Sequence, residues 1–475
     1  MKHKFLHKAG GVIIDKSLKY VKKDPAKNLM KIADIAKKLL GDTFPPKAYE
    51  GMVKIATDES NNWHKFAMKL IDEVDHNIIR NLLLAFGLHA GIYGTKEVRA
   101  NREIYNCNIP FLLLFDPTSS CNLKCKGCWS AEYDRKLNLT LNEMRGIVEE
   151  GKALGTHLYM MTGGEPLMRK EDILTLAREN PDCVFLAYTN GTLIDEKFAD
   201  DIAKLGNFLV ALSIEGNEAT NDARRGSGIY QRVRKAMKIL KDRGCLFGIS
   251  ICYTRQNMEA VTSDEFFDEM IEAGVRFGMY FHYMPVGKGA DVNMMLTPEQ
   301  RVEIYNKIRQ VRSADNGKPM FVMDFQNDGE FVGGCIAGGR NYFHINSAGD
   351  MEPCVFIHYS DSNIRSKTLL EGLQSPLFMK YYHNQPFNDN HLRPCPMLEN
   401  PYALRKIIAE TGAHSTDMIS QESVDALCGK CDSYAEMWQK TADELWKSKD
   451  RYKPFTQYYR DTQEAIAASS QAKYI

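Results

Sequence analysis

The stretch Asp116 to Trp129 reads DPTSSCNLKCKGCW and follows the apolar run Pro110 to Phe115, so Cys121, Cys125 and Cys128 stand at C-x3-C-x2-C on a loop leaving a predicted strand. Four thiolates saturate a [4Fe-4S] cluster, as in electron-transfer proteins. Three leave one iron open to a small molecule, which turns an electron store into a reaction site. The same spacing also suits a zinc ion completed by a distant histidine, or a loop of unligated thiols. Cys107 is the upstream thiol that could close the set in a non-catalytic iron-sulfur carrier.

Outward from this loop, short apolar runs alternate with amphipathic helical stretches from Ile109 to Gly289. After Pro110 to Phe115 the runs are His157 to Met161, Cys183 to Tyr188, Phe208 to Ile214, Phe247 to Tyr253 and Phe277 to Tyr283. Six strands separated by helices predict parallel pairing with right-handed crossovers, in an open doubly wound sheet or a barrel. Functional residues then gather on loops at the C-terminal ends of the strands. The motifs follow that rule: Thr162-Gly163-Gly164-Glu165-Pro166 ends strand two, Thr189-Asn190-Gly191-Thr192 strand three, and Ser213-Ile214-Glu215-Gly216 strand four, ahead of Arg224-Arg225-Gly226. Glycines suit a site where a ligand must approach the backbone closely.

In these motifs, taken in order, the chain resembles the radical S-adenosylmethionine (SAM) superfamily over about residues 109 to 290. The resemblance implies an α/β fold, a partial (β/α)6 barrel, in which Cys121, Cys125 and Cys128 hold a [4Fe-4S] cluster. The open iron chelates SAM, and reductive cleavage yields a 5′-deoxyadenosyl radical that abstracts a substrate hydrogen. It further implies that Gly163, Gly164, Glu165 and Pro166 receive the SAM amino group, that Asn190 and Ser213 lie near the ribose, and that Arg225 meets the carboxylate. Tyr283-Met284-Pro285-Val286-Gly287 is similar to the segment that packs against the adenine. One position departs: the family usually has an aromatic residue before the third cysteine, where this chain has Gly127. Trp129, just after that cysteine, is the candidate to cover the adenine.

A second cysteine group lies downstream. Cys335 and Cys354 flank Gly349 in C-x13-G-x4-C, and Cys428-Gly429-Lys430-Cys431 supplies a distant C-x2-C. This resembles the SPASM/twitch extension of radical SAM enzymes, and implies an auxiliary [4Fe-4S] cluster on Cys335, Cys354, Cys428 and Cys431, with Cys395 as an alternate ligand. Four thiolates also suit a structural zinc. The remaining cysteines, Cys107, Cys183, Cys245 and Cys252, read as small buried hydrophobes.

The chain has 475 residues and 12 cysteines, with 61 basic and 61 acidic side chains. Zero net charge argues against a nucleic-acid partner. The first 50 residues nonetheless carry 12 lysines against five acidic residues. Lys27 to Leu40 there reads as an amphipathic helix with a lysine face, which either packs on the next domain or meets an anionic lipid surface as a peripheral membrane contact. No stretch approaches the ~18 apolar residues of a membrane span; the strongest, Ile78 to Tyr93, is broken by Arg80, Asn81 and His89. A cytoplasmic location is expected. The predicted domains are a helical extension over 1–108, the barrel over 109–313, a cysteine-rich cluster domain over 314–432 and a helical tail over 433–475. The expected activity is that of a radical SAM oxidoreductase or transferase acting on a peptide or protein, reduced by a flavodoxin or ferredoxin. Radical chemistry on a lipid or small molecule at a membrane surface is the alternative.

Overall fold

Leu112–Phe115 (β1) is four apolar residues in a row, the pattern of a strand buried on both faces. It pairs in parallel with Leu158–Met161 (β2), Leu112 opposite Leu158. Val184–Thr189 (β3), Phe208–Ser213 (β4), Phe247–Tyr253 (β5) and Phe277–His282 (β6) continue the parallel order, each run lying where the sequence predicts it. The computed structural model describes residues 46–287 and 289–448, together with 11, 13–20, 23, 27, 28 and 31. Most of the predicted Lys27 to Leu40 helix, including Lys37 and Lys38, and the tail beyond residue 448 lie outside the described residues.

The sheet is wider than the six strands expected. Phe321–Asp324 (β7) adds in parallel to β6, and Tyr342–Ile345 (β8) adds in parallel to the other side of β1. Met351–Glu352 (β9) then closes an antiparallel hairpin with β8. The final order is β7-β6-β5-β4-β3-β2-β1-β8-β9. The sequence reading found the Phe343 to Asn346 hairpin arm but not its parallel partner, because periodicity identifies a strand and not its neighbour.

Side chains alternate across the sheet. Leu113 and Phe115 of β1 and Tyr159 and Met161 of β2 enter the main core, to which Ile147 and Val148 of the helix Leu141–Ala153 also belong. Thr140 starts that helix with a capping box closed by Glu143. Leu112, Leu114 and Met160 line a cavity, Leu114 also belonging to the core.

The N-terminal helices cover the opposite rim, where the strands begin. Asn62 Nδ2 donates to the Lys318 carbonyl at 2.7 Å, Asn77 Nδ2 to the Ala203 carbonyl at 2.8 Å, and Asn101 Nδ2 to the Leu154 carbonyl at 3.1 Å. Among the described residues, no helix is long and apolar enough to cross a membrane.

Candidate functional site

The cysteine loop is fastened at both ends before any ligand arrives. Arg135 Nη1 donates to the Leu123 carbonyl at 2.9 Å, and Lys126 N to the Arg224 carbonyl at 2.9 Å. Cys121, Cys125 and Cys128 line a cavity of about 350 Å³. Burial pushes the Cys121 thiol up to about 11. Burial also raises Cys125, against the opposing pull of Arg225. Such thiols stay protonated until a cation compensates the thiolate charge, which is the condition of a metal-binding loop. Cys107 is buried in the core and does not line this cavity. Cys252 of β5, read from the sequence as a bystander, does line it, within electrostatic range of Cys128 and both arginines. Its inward position on the strand is visible only once the sheet is assembled.

Gly163 and Gly164 line the cavity, and their lack of a Cβ also brings the turn against the cysteine loop. A Cβ at Gly163 would lie 2.6 Å from the Thr118 carbonyl oxygen, and one at Gly164 would collide with the Ser120 carbonyl oxygen. The TGGEP turn is therefore packed onto the backbone of the cysteine loop itself. Glu165, fully buried, accepts from Thr189 Oγ1 at 2.7 Å, Asn190 N at 2.8 Å and Leu167 N at 2.9 Å. It clips the ends of β2 and β3 together, and Pro166 starts the short 3-10 turn that follows. Asn190 Nδ2 donates to Asn122 Oδ1 of the cysteine loop at 2.8 Å, and Ser213 faces the cavity.

The two arginines share one acceptor. Arg224 Nη1 reaches Glu215 Oε1 at 2.5 Å and Arg225 Nε reaches the same oxygen at 3.0 Å, while Arg225 Nη1 stands 4.0 Å from Cys125 Sγ. Glu215 is buried, so this triad puts net positive charge beside the thiols.

The missing aromatic before Cys128 has a counterpart. Gly127 holds φ +62°, and a Cβ built there would lie 2.7 Å from Cε2 of Tyr283. Tyr283, after β6, occupies the space that a side chain at 127 would take. Trp129 lines the cavity too, edge-on to His344, Tyr133 and His358 at 5.8, 6.2 and 6.0 Å between ring centroids.

Beneath Trp129 runs a buried ionic chain the sequence did not disclose. His344 Nε2 lies 2.9 Å from Asp116 Oδ1, and His344 Nδ1 2.6 Å from Glu352 Oε2. Glu352 also accepts from Tyr133 Oη at 2.9 Å, Asn346 Nδ2 at 2.9 Å and Thr416 Oγ1 at 2.6 Å. Burial alone would lower His344, but the Asp116 and Glu352 carboxylates carry it up to about 10. A protonated imidazole thus joins β1, the cysteine loop and the β8–β9 hairpin.

The second cysteine group meets the first across the same cavity: Cys335, Cys354 and Cys395 line it. Cys354 Sγ is 2.8 Å from Tyr342 Oη, and Cys395 Sγ accepts from Met397 N and Leu398 N at 3.4 and 3.3 Å. Cys428 and Cys431 are buried in the first turns of the helix Val424–Lys447, off the cavity wall. Tyr381 lies within electrostatic range of Cys335, Cys354, Cys395 and Cys428, and its buried hydroxyl has no hydrogen-bond partner among the described residues. Thiolates on zinc, at about 2.3 Å, would stand about 3.8 Å apart. Among the described residues, no three cysteine sulfurs come within 4.8 Å of one another.

Residues 115–262 match the model of the Radical SAM superfamily. The chain carries a radical SAM domain. That family is one of enzymes, and its cofactors are a [4Fe-4S] cluster and SAM. The match runs from Phe115, the last residue of β1, to beyond β5, so every strand-end motif through Ser213 falls inside it. Curated relatives include the AdoMet-dependent heme synthase of Methanosarcina barkeri, 26% identical over 56% of this chain and 82% of the relative. The mycofactocin maturase MftC of Mycolicibacterium smegmatis is 28% identical over 55% of this chain and 68% of its own length. Among solved structures, SuiB of Streptococcus suis bound to S-adenosylmethionine aligns over 78% of this chain and 89% of its own, with a TM-score of 0.54 and 20% identity. SuiB bound to precursor peptide SuiA aligns over 70% and 80%, with a TM-score of 0.53 and 20% identity. At that identity the likeness to SuiB speaks to the fold, in which the radical SAM domain is continued by strands from the cysteine-rich section.

The donor set fits the family's cofactor: three half-buried thiols on one fastened loop, with guanidinium groups beside them and no fourth cysteine of that loop to close the set.

Proposed function

We propose that Cys121, Cys125 and Cys128 hold the SAM-binding [4Fe-4S] cluster and that Cys335, Cys354, Cys395 and Cys428 hold an auxiliary one. The substrate then presents an uncharged C–H group between them. Bound together, cluster and SAM supply a hydrogen-abstracting radical. The residues of this chain do the rest: Glu165 and Asn190 fix the strand ends, Arg224 and Arg225 place positive charge at the thiols, and the apolar wall excludes water.

The observation that carries the substrate reading is that wall. Between the two thiol groups it is made by Met160, Tyr188, Met279, Phe281, Phe325 and Phe356. Among the described residues no lysine lines it, and Arg224 and Arg225, paired with Glu215, leave one net positive charge at the Cys125 end of the cavity. Against the apolar side chains a carboxylate or phosphate would be desolvated with no cation beside it, whereas an aliphatic or aromatic group would be stabilised. A tetrapyrrole, which the heme synthase relative suggests, carries carboxylates that this wall does not match.

A peptide or protein with an apolar side chain is the leading substrate, supported by SuiB, whose structure holds a precursor peptide. A lipid acyl chain is the second reading, favoured by the same wall and by the exposed Leu83, Phe86 and Ile104 of the N-terminal helices. A flavodoxin or ferredoxin would supply the electron, and the twelve free cysteines suit the reducing cytoplasm.

The test is isotope transfer. Reconstituted full chain, reduced and given SAM, is offered an apolar peptide with perdeuterated leucine or vesicles of perdeuterated palmitoyl phospholipid. Deuterium in 5′-deoxyadenosine from one of them identifies the substrate class. Turnover with a tetrapyrrole dicarboxylate and with neither apolar probe would overturn the reading.

A further inference from the structure

The rim where the strands begin, remote from the cysteine loops, holds a second set of metal-type donors. One ligand atom each from His89, His157 and Asp182 lies within 4.8 Å of the other two. His89 and His157 are buried, at 0% and 2% exposure. Their rings stand 5.7 Å apart at 35°. His157 Nδ1 is 3.9 Å from Asp182 Oδ2. Cys183 Sγ is 3.8 Å from His157 Nδ1 and 4.0 Å from Asp182 Oδ1.

Three segments build this cluster. His157 immediately precedes β2, Asp182 and Cys183 precede β3, and His89 is carried by the π-helix Leu83–Gly94. π-turns are rare, and they occur often at functional sites, where the wider turn re-aims a side chain. Gly94 lets this helix lie against the rim: a Cβ there would be 2.5 Å from the Gly155 carbonyl oxygen and 3.2 Å from His157 Cδ2.

We propose that His89, His157 and Asp182 bind a divalent ion of the zinc class, with Cys183 as the fourth donor. Two imidazoles, a carboxylate and a thiolate are the nitrogen, oxygen and sulfur ligands zinc takes. On binding, a Zn–S bond forms, the Cys183 proton passes to solvent, and no electron is transferred. Donors at about 2.0–2.3 Å from zinc stand about 3.3–3.8 Å apart, so closing the His89, His157 and Asp182 set, already within 4.8 Å of one another, needs shifts of side-chain size only. Lys152 Nζ, the resident cation, lies 2.8 Å from both Oδ1 and Oδ2 of Asp182, so the metal shares a carboxylate oxygen with this ammonium or displaces it. At the base of the sheet the ion fastens the N-terminal helices to β2 and β3, a structural role rather than a catalytic one. The site is independent of the substrate reading above.

The test uses the iron-loaded full chain, equilibrated anaerobically with zinc chloride and passed over a chelating resin. Wild type retains about one zinc per chain beyond its iron, as a closed structural site does. His89→Gln and His157→Gln each lower retained zinc at least tenfold with iron unchanged, and zinc raises Tm in wild type but not in His157→Gln. Lys152→Met retains zinc at the wild-type level. Wild-type zinc content in both histidine variants, no zinc in iron-replete wild type, or zinc that falls only together with iron would overturn the proposal.

Discussion

The ring of Tyr283 fills the space over Gly127: a Cβ at 127 would stand 2.7 Å from Cε2 of Tyr283 and 3.2 Å from its Oη. Gly127 also holds a left-handed φ of +62°, which a residue with a Cβ adopts at a cost of about 1–3 kcal/mol. Gly127→Ala therefore meets both a clash and backbone strain beside Cys128. The expected result is a lower Tm and reduced iron on the first loop. Adding Tyr283→Ala removes the clash but not the strain, so the double variant recovers only part of the loss.

Asp116, His344 and Glu352 form a pH-dependent tie. The His344 pKa is raised from 6.5 to about 10 in the folded protein. Its contribution is fully present below the unfolded value and is lost as pH rises through the folded one. Wild-type stability relative to His344→Gln is thus predicted to be greatest near pH 6 and to shrink towards pH 10. At neutral pH the variant loses about 3–5 kcal/mol, since two buried carboxylates lose their cation. Chemical denaturation across that pH range measures both; a difference independent of pH would contradict the assignment of charge.

Glu215 holds Arg224 and Arg225 on one oxygen, its own side chain 1% exposed. Glu215→Gln leaves two guanidinium groups buried without their counter-charge, and a loss of about 3–5 kcal/mol is expected. Combining it with Arg224→Met should cost less than the sum of the single changes, because they share the interaction. A double-mutant cycle by urea denaturation checks this.

Cys395 lines the cavity with Cys335 and Cys354, Cys428 and Cys431 both lie off its wall, and of these two it is Cys428 that lies within electrostatic range of Tyr381. Cys395→Ser should lower iron from about eight to about four per chain, the loss of one [4Fe-4S] cluster. Cys431→Ser should leave it near eight. The opposite pattern would restore the Cys335, Cys354, Cys428 and Cys431 set that spacing suggested.

The sheet's first six strands were legible in the sequence because each is a continuous apolar run, and the strand-end motifs because turns concentrate glycine and polar residues. Long-range partnership was not. Nothing in the sequence near Phe343 says that β8 lies beside β1, so the His344 to Asp116 bond could not be read. Likewise Cys252 looks like a hydrophobe until β5 turns it towards the cavity, and Cys395, outside both C-x2-C and hairpin spacing, is brought to Cys335 by tertiary packing. The close approach of Gly163 and Gly164 to the Thr118 and Ser120 carbonyls is also set by tertiary packing and has no signature in the TGGEP stretch itself.

The central claim is that the Cys121, Cys125 and Cys128 loop leaves its cluster open for SAM. The most direct measurement is 5′-deoxyadenosine from anaerobically reconstituted full chain given dithionite and SAM. The account predicts steady formation by wild type and none by Cys125→Ser, with the auxiliary iron retained in that variant. Iron-replete wild type that forms no 5′-deoxyadenosine, or a Cys125→Ser variant that forms as much, would contradict it.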